Sequence, residues 1–312
     1  MVEFSATRLR AIHAAVVAIA VVVGAGTAFA RTGSSANIAP PSFSHVFIVL
    51  LENHPYSDVV GASDMPYINS LIANYGLATN YYADVHPSIG NYFMLTTGKI
   101  ISKNDSFNRV VKVNNVVRIL TASNLTWKGY FEDYANSTLP ETMPYIKHHN
   151  PFSYFSDVLN DPNEAANMVD LSQLYTDISN DSVPNYSFIV PNAYHQGHDP
   201  DPNPPGVDCS NTDRMAETDC FLSNNISPVV DYVANQGGLL IITWDEGDGA
   251  DFKHGGGHIA TVLVSNLSKP GYQSTRLYQH QSALRLMLQS LGVTKFPGAA
   301  GRAPEMGEFF NQ

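Results

Sequence analysis

Four polar residues stand directly behind two of the most apolar runs in the chain: Glu52-Asn53 after residues 45–51, and Asp245-Glu246 after residues 239–244. Carboxylate and amide oxygens are hard donors, and such a set converging on one point suits Mg²⁺, Ca²⁺ or Mn²⁺. An acidic residue after a strand commonly does no more than begin a solvated loop. Two such pairs behind two buried strands favour a divalent metal, and leave a second ion open. Ser88 reads as part of the first turn of a helix over residues 88–97, where free N–H groups and the helix dipole favour both an alkoxide and a bound phosphate. A neighbouring ion would lower its pKa further. Taken alone, a serine at that position reads as a cap, but His86 and Asn91 add polar groups to the same turn.

Further histidines gather on two loops. His195, His198 and Asp199 follow a strand at 186–190 and can ligate a metal, hold a phosphate oxygen or protonate a leaving group. His254 and His258 flank Gly255-Gly256-Gly257, whose missing side chains would let a ligand approach closely, with His258 the better candidate beside its strand. His148 and His149, in a weakly patterned stretch, could line the site from a cap but read more readily as surface residues, and His280 reads as a packing or capping residue of the closing helix.

The elements that must position these groups alternate. Strands are expected at 45–51, 77–83, 126–131, 186–190, 239–244 and 259–265, and helices at 65–75, 88–97, 114–123, 219–235 and 278–291. Continuous β-branched runs such as 45–51 and 239–244 fit strands buried on both faces, so the fold expected is α/β, a largely parallel central sheet with helices on both sides. In open sheets of this kind ligands bind beyond the carboxyl ends of the strands, which is where the candidate residues fall. Residues 134–182, rich in Asn, Asp, Pro and Tyr, read as a loop-rich cap or insertion.

Length and composition allow one domain of 312 residues with 44% hydrophobic and 14% charged side chains. The formal charge of −11 gives no general attraction to nucleic acid or an anionic membrane surface, so neither partner is expected. Arg8 and Arg10, the apolar residues 11–23 and Ala28-Phe29-Ala30 read as an export signal cleaved after Ala30, with 31–43 a linker and 44–312 the domain. The apolar run is too short for a stable membrane span. The protein is therefore expected to be secreted or periplasmic, where Cys209 and Cys220 favour a disulfide over free thiols. No Gly-x-Ser-x-Gly elbow surrounds Ser88, and no Walker loop or dinucleotide fingerprint follows a strand.

In order, Val49-Leu50-Leu51-Glu52-Asn53-His54, Asp84-Val85-His86-Pro87-Ser88-Ile89-Gly90-Asn91-Tyr92, Val190-Pro191-Asn192 with His198-Asp199, and Thr243-Trp244-Asp245-Glu246 resemble the signatures of the phosphoesterase family, which holds bacterial secreted acid phosphatases and phospholipase C type enzymes of the alkaline phosphatase superfamily. The resemblance covers about residues 44–292. It implies a three-layer alkaline phosphatase-like sandwich and a metal held by Glu52, Asn53, Asp245 and Glu246, with Ser88 as nucleophile and metal-side ligand. His86, His195, His198, Asp199 and His258 would surround the phosphoryl group, together with Asn53 and Asn91. The implied reaction is attack of Ser88 on phosphorus, a phosphoserine intermediate and its hydrolysis, with a histidine protonating the leaving alkoxide at mildly acidic pH. The loop reads His195-Gln196-Gly197-His198-Asp199 where the family often has Asp-Met-His-Asp.

The expected function is thus that of a secreted metal-dependent acid phosphatase acting on a small phosphorylated substrate or a phospholipid headgroup. A phospholipase C-like diesterase would use the same site. From another class, an exported binding module that lost catalysis would suit the 16 tyrosines, though Ser88 and all four oxygen ligands are retained. A metal-independent serine esterase would need a base and an orienting acid at Ser88.

Overall fold

The computed structural model describes residues 38–135, 142–203, 205–206 and 208–312. The expected leader and linker residues 31–37 lie outside the described residues. In chain order the strands are β1 (Val46–Leu51), β2 (Gly76–Ala78), β3 (Tyr81–Tyr82), β4 (Trp127–Phe131), β5 (Met168–Asp170), β6 (Tyr186–Val190), β7 (Leu239–Trp244), β8 (His258–Ile259), β9 (Thr261–Val264), β10 (Gln273–Ser274) and β11 (Tyr278–Gln279). The helices are α1 (Pro66–Asn74), α2 (Ile89–Thr97), α3 (Val116–Ala122), α4 (Ser156–Leu159), α5 (Pro162–Ala165), α6 (Ser172–Ser179), α7 (Arg214–Phe221), α8 (Ser227–Gln236) and α9 (His280–Ser290).

Eight strands form the main sheet in the order β10-β2-β9-β7-β1-β6-β4-β5. All its pairings are parallel except those of β9, which runs against both β7 and β2. β1 and β7 are buried at every residue, as continuous apolar strands in a sheet covered on both faces must be. α1, α6, α7 and α8 pack together on one side, α8 against β7, while α2 and α9 pack together and α9 lies against β1 on the other. This is the largely parallel α/β architecture expected. Each buried Val, Leu, Ile or Phe of β1 and β7 contributes about 1.5–3 kcal/mol, so the central strands are the best-anchored elements for a site to stand on.

Several details differ from expectation. Residues 77–83 are not one strand: β2 joins the main sheet and β3 a second sheet, ordered β11-β3-β8. The stretch 259–265 divides in the same way into β8 and β9. The expected helix at 219–235 starts earlier, where Asp213 caps α7 by accepting from the Met215 and Ala216 N–H groups, and passes through a π-helical turn, Leu222–Ile226, into α8. Residues 142–182 are woven into the body rather than set above it as a cap. They supply the edge strand β5 and the fully buried Phe152 and Phe155. Their core residues are isolated among polar neighbours, which hides the periodicity. The last part of the expected linker also belongs to the domain. The Phe43 N–H donates to the Ser290 carbonyl at 2.8 Å, its ring meets Phe310 edge-on at 5.5 Å, and the Ile38 carbonyl accepts from Gly307.

Candidate active site

Leu51 pairs with Trp244, so the next residues, Glu52 and Asp245, leave the ends of β1 and β7 at the same level. Glu246 follows, and all three carboxylates are buried. Asn53 turns the chain with φ 51°, a left-handed conformation that Asn tolerates better than most residues. Its N–H donates to Asp245 Oδ1 at 3.1 Å and its amide to Glu52 Oε1 at 2.7 Å. Ser88 stands immediately before α2 with helical dihedrals and makes no side-chain cap bond. Its hydroxyl donates instead to Glu52 Oε1 at 2.9 Å. The simple capping role is thereby set aside, and the first N–H of α2, that of Ile89, is taken by Asp105 at 3.1 Å.

His149, read from sequence as a surface residue, is buried and lies in this site. Its ring stacks on Tyr92 of α2, centroids 4.7 Å apart and planes 5° apart. Nδ1 lies 3.0 Å from Gln196 Oε1, an atom that can only accept, so the proton is on Nδ1 and the Nε2 lone pair faces inward. There it meets Glu52 Oε2 at 3.2 Å without hydrogen-bond geometry. Burial, then the neighbouring His148, holds the imidazole well below its ordinary pKa, so it is neutral.

Glu52, His149 and Asp245 each offer a ligand atom within 4.8 Å of the others. Glu52 Oε2, His149 Nε2 and Asp245 Oδ2 are all buried and find no hydrogen-bond partner among the described residues. Burial pushes Glu52 well above the usual carboxylate range, and the charges of Asp245 and Glu246 add to it. Burial likewise raises Asp245, partly offset by bonds from its neighbours, and raises Glu246 to about 10, helped by Asp245 and Asp105. Two buried carboxylates facing a neutral imidazole lone pair, with a third close beside them, are unfavourable together unless a cation sits among them. Two carboxylates and one nitrogen fit a divalent ion.

The remaining candidates are distributed around this group. Glu246 does not point into it: Oε1 faces His86 Nδ1 at 3.1 Å, and Oε2 accepts from Asn91 at 3.4 Å. Asn53 likewise braces the carboxylates from beside. Asn91, expected to touch substrate, is fully buried, and its oxygen accepts from the Asp84 and Val85 N–H groups while its amide donates to the Val85 carbonyl. It shapes the turn that carries Ser88. His86 Nε2 also bonds the Asp251 carbonyl at 2.9 Å. His198 is exposed at the rim, Nδ1 3.2 Å from Asp199 Oδ1, and near enough for its charge to lower His149.

Two expected residues lie elsewhere. His258 is sandwiched between Tyr56 and Tyr82, with Nε2 on the Thr79 carbonyl, because the chain at β8 joins the small sheet. Burial lowers its pKa. His195 turns away from Ser88, with Nδ1 on Glu132 at 2.8 Å and Nε2 on the Asp208 carbonyl at 2.8 Å. Burial works against its protonation, but the hydrogen bond and charge of Glu132 raise it to about 9. The residue after it, Gln196, reaches the site in its place. The glycine-rich loop also serves the protein itself: a Cβ on Gly255 would meet the Asp84 carbonyl at 2.0 Å, and one on Gly256 the Val85 carbonyl at 2.6 Å. The close approach is to the segment leading to Ser88, not to a ligand. Cys209 and Cys220 are disulfide-bonded. His280 is buried behind the site, with Nε2 2.6 Å from the Asp245 carbonyl.

His149, Gln196 and Glu132 were missed from sequence. A signal for the first exists: Asn150-Pro151 follows it, and the Asn150 side chain caps the turn Pro151–Tyr154, which marks a fixed rather than a wandering backbone.

The mostly parallel sheet carries a serine and buried carboxylates at its strand ends, and its fold is similar to that of solved structures from the alkaline phosphatase superfamily. Solved structures of similar fold include a superfamily protein from Vibrio parahaemolyticus, with TM-score 0.56, 13% identity and coverage of 82% of this chain and 69% of that one. Another is the phosphonate monoester hydrolase of Agrobacterium radiobacter, with TM-score 0.55, 11% identity and coverage of 80% and 74%. A sequence profile of the Phosphoesterase family matches residues 61–294, and the chain belongs to that family. It is a phosphoric ester hydrolase. The phosphatidylinositol-3-phosphatase of Mycobacterium tuberculosis is 28% identical over 276 residues, 87% of this chain and 84% of that protein. A probable acid phosphatase of Kluyveromyces lactis is 32% identical over 170 residues, which are 51% of this chain and 39% of the yeast protein.

Proposed function

We propose that the chain is an exported, metal-dependent phosphatase that hydrolyses phosphate monoesters through a phosphoserine at Ser88. The observation that carries this reading is the Ser88 hydroxyl, 2.9 Å from Glu52 Oε1 and held beside buried, unpartnered atoms of Glu52, His149 and Asp245. A divalent ion held by those three residues would neutralise the buried charge, favour the serine alkoxide and draw charge from the transferring phosphoryl group. Glu52 Oε1 holds the hydroxyl proton and aims the oxygen. Asn53, Glu246 and Asn91 fix the carboxylates and the Ser88 turn, so that little reorganisation is left for the reaction itself. Ser88 Oγ forms a bond to phosphorus as the bond to the leaving oxygen breaks, and water then releases phosphate. His198, paired with Asp199 and open to solvent, is the group we assign to give the leaving alkoxide its proton.

Substrate choice belongs to the mouth. Phe252, 67% exposed, lies edge-on to His86 with centroids 5.1 Å apart, so it offers apolar contact to the organic part of a monoester. That contact and the similarity to a phosphoinositide phosphatase favour phosphorylated lipid headgroups among the substrates.

The test compares a chromogenic phosphate monoester with the matching diester and carboxyl ester, with and without chelation, in the mature protein and in Ser88→Ala. Monoester turnover that chelation removes, that added Mg²⁺ or Mn²⁺ restores, and that falls at least about a thousandfold in the variant is expected. Preference for the diester would move the chain to a phospholipase C activity, and chelator-resistant turnover would refute the metal mechanism. Export is checked by the N-terminal sequence of the released protein, expected to begin at Arg31.

A further inference from the structure

Outside the Ser88 site, one other group of metal-capable side chains stands together among the described residues: His195, Asp201 and Glu217, each offering a ligand atom within 4.8 Å of the others. Glu217, on α7, is fully buried. Its Oε2 accepts from the Asn211 N–H at 3.3 Å, while Oε1 finds no hydrogen-bond partner among the described residues. A desolvated carboxylate oxygen with no donor is costly. Such an atom in a cluster of ligands is best satisfied by a cation.

The surroundings supply the rest. His195 gives Nδ1 to Glu132, the carboxylate–imidazole pairing that commonly orients a metal-bound histidine. A cavity of about 450 Å³ lies against this cluster, lined by Glu132, Asp133, Asp201 and Asp208 with amides such as Asn192 and Asn203, and among the described residues by no lysine or arginine. The Cys209–Cys220 disulfide ties the loop bearing Asp208 to α7, the helix that carries Glu217.

We propose that His195, Asp201 and Glu217 form a second divalent-cation site, of the zinc or manganese class, separate from the Ser88 centre. One imidazole with two carboxylates suits zinc or manganese. With Nδ1 kept by Glu132, Nε2 is the ligand atom, and an ion there takes the place of the Nε2 proton, released to solvent, and of its bond to the Asp208 carbonyl. The site has a structural task. The turn from Asn192 to Gln196, closed by the Gln196 N–H on the Asn192 carbonyl at 3.1 Å, sends His195 into this cluster and Gln196 to His149. A cation here therefore anchors the turn that selects the His149 tautomer.

The experiment is equilibrium binding of Zn²⁺ and, separately, Mn²⁺ to the metal-stripped mature protein, with ions per chain counted and melting followed in parallel. Wild type is expected to hold two ions, and Glu217→Gln and Asp201→Asn one each. In chelator, Glu217→Gln, which removes a buried charge without changing shape, should melt no lower than wild type, and added Zn²⁺ should raise its melting temperature less. Should Glu217→Gln not fold, the partly exposed Asp201→Asn carries the count. Glu52→Gln, which strikes the Ser88 centre, should also hold one ion, so failure of the phosphatase reading and failure of this one are read separately. Equal ion counts and affinities in wild type, Glu217→Gln and Asp201→Asn would overturn the site.

Discussion

Replacing His149 by alanine removes the one nitrogen from the donor group beside Ser88 and leaves its carboxylates in place. Affinity for a divalent ion should fall at least about tenfold, with turnover partly restored at high metal concentration, as titration calorimetry and metal-dependent rates would show. A second residue makes a different measurement possible. Burial raises the Asp84 carboxyl to about 7, although the His280 N–H and the Gln281 side chain stabilise its charge. A carboxyl whose folded pKa lies above its unfolded value stabilises the fold while protonated, and that contribution is lost as pH rises from about 4 to about 7. Wild type should therefore lose stability relative to Asp84→Asn across that window, by an amount of the order of a few kcal/mol, read from melting temperatures at stepped pH. The Asn oxygen can keep the His280 N–H, and the Gln281 amide can turn to accept from its nitrogen. A pH-independent difference between the two proteins would contradict this account.

Among the elements, those buried on both faces were the ones legible in sequence. Residues 186–190 and 239–244 are strands with the expected bounds because a covered parallel strand must be apolar throughout, and the polar residues that end it are conspicuous. The same pattern exposed Glu52 and Asp245. What could not be read was where a strand leaves one sheet for another, as at residues 77–83 and 259–265, because both portions are equally apolar and the division depends on partners far along the chain. His149 was hidden for a related reason. Its function rests on Tyr92 and Gln196, which are distant in sequence and set no local period. The glycine-rich loop was read as an opening for a ligand, yet it is a close fit of backbone on backbone. Gly256→Ala should force the Val85 carbonyl away, at a cost of about 1–3 kcal/mol. Through the displaced Ser88 turn it should also lower turnover at least about tenfold. A lower melting temperature with unchanged kcat would separate the loop from the site.

The molecule as a whole is closed at its edge by residues that looked like a tether. A protein beginning at residue 44 loses the buried Phe43 and the Ile38 and Ala39 carbonyl bonds to Gly307 and Gln312. It should melt about 5 °C below one beginning at residue 31, by calorimetry, with the active site intact. That independence of edge and centre has its origin in the pairing of Leu51 with Trp244. Because Glu52 and Asp245 are simply the next residues along two hydrogen-bonded strands, the distance between them is a property of the sheet, set before any loop is closed. The loops beyond, such as the exposed stretch around Gly61, can then be lengthened or exchanged without moving the pair. A library built on those loops would vary what surrounds the site while the carboxylate pair is inherited unchanged, which makes this scaffold a natural starting point for directed evolution of substrate range.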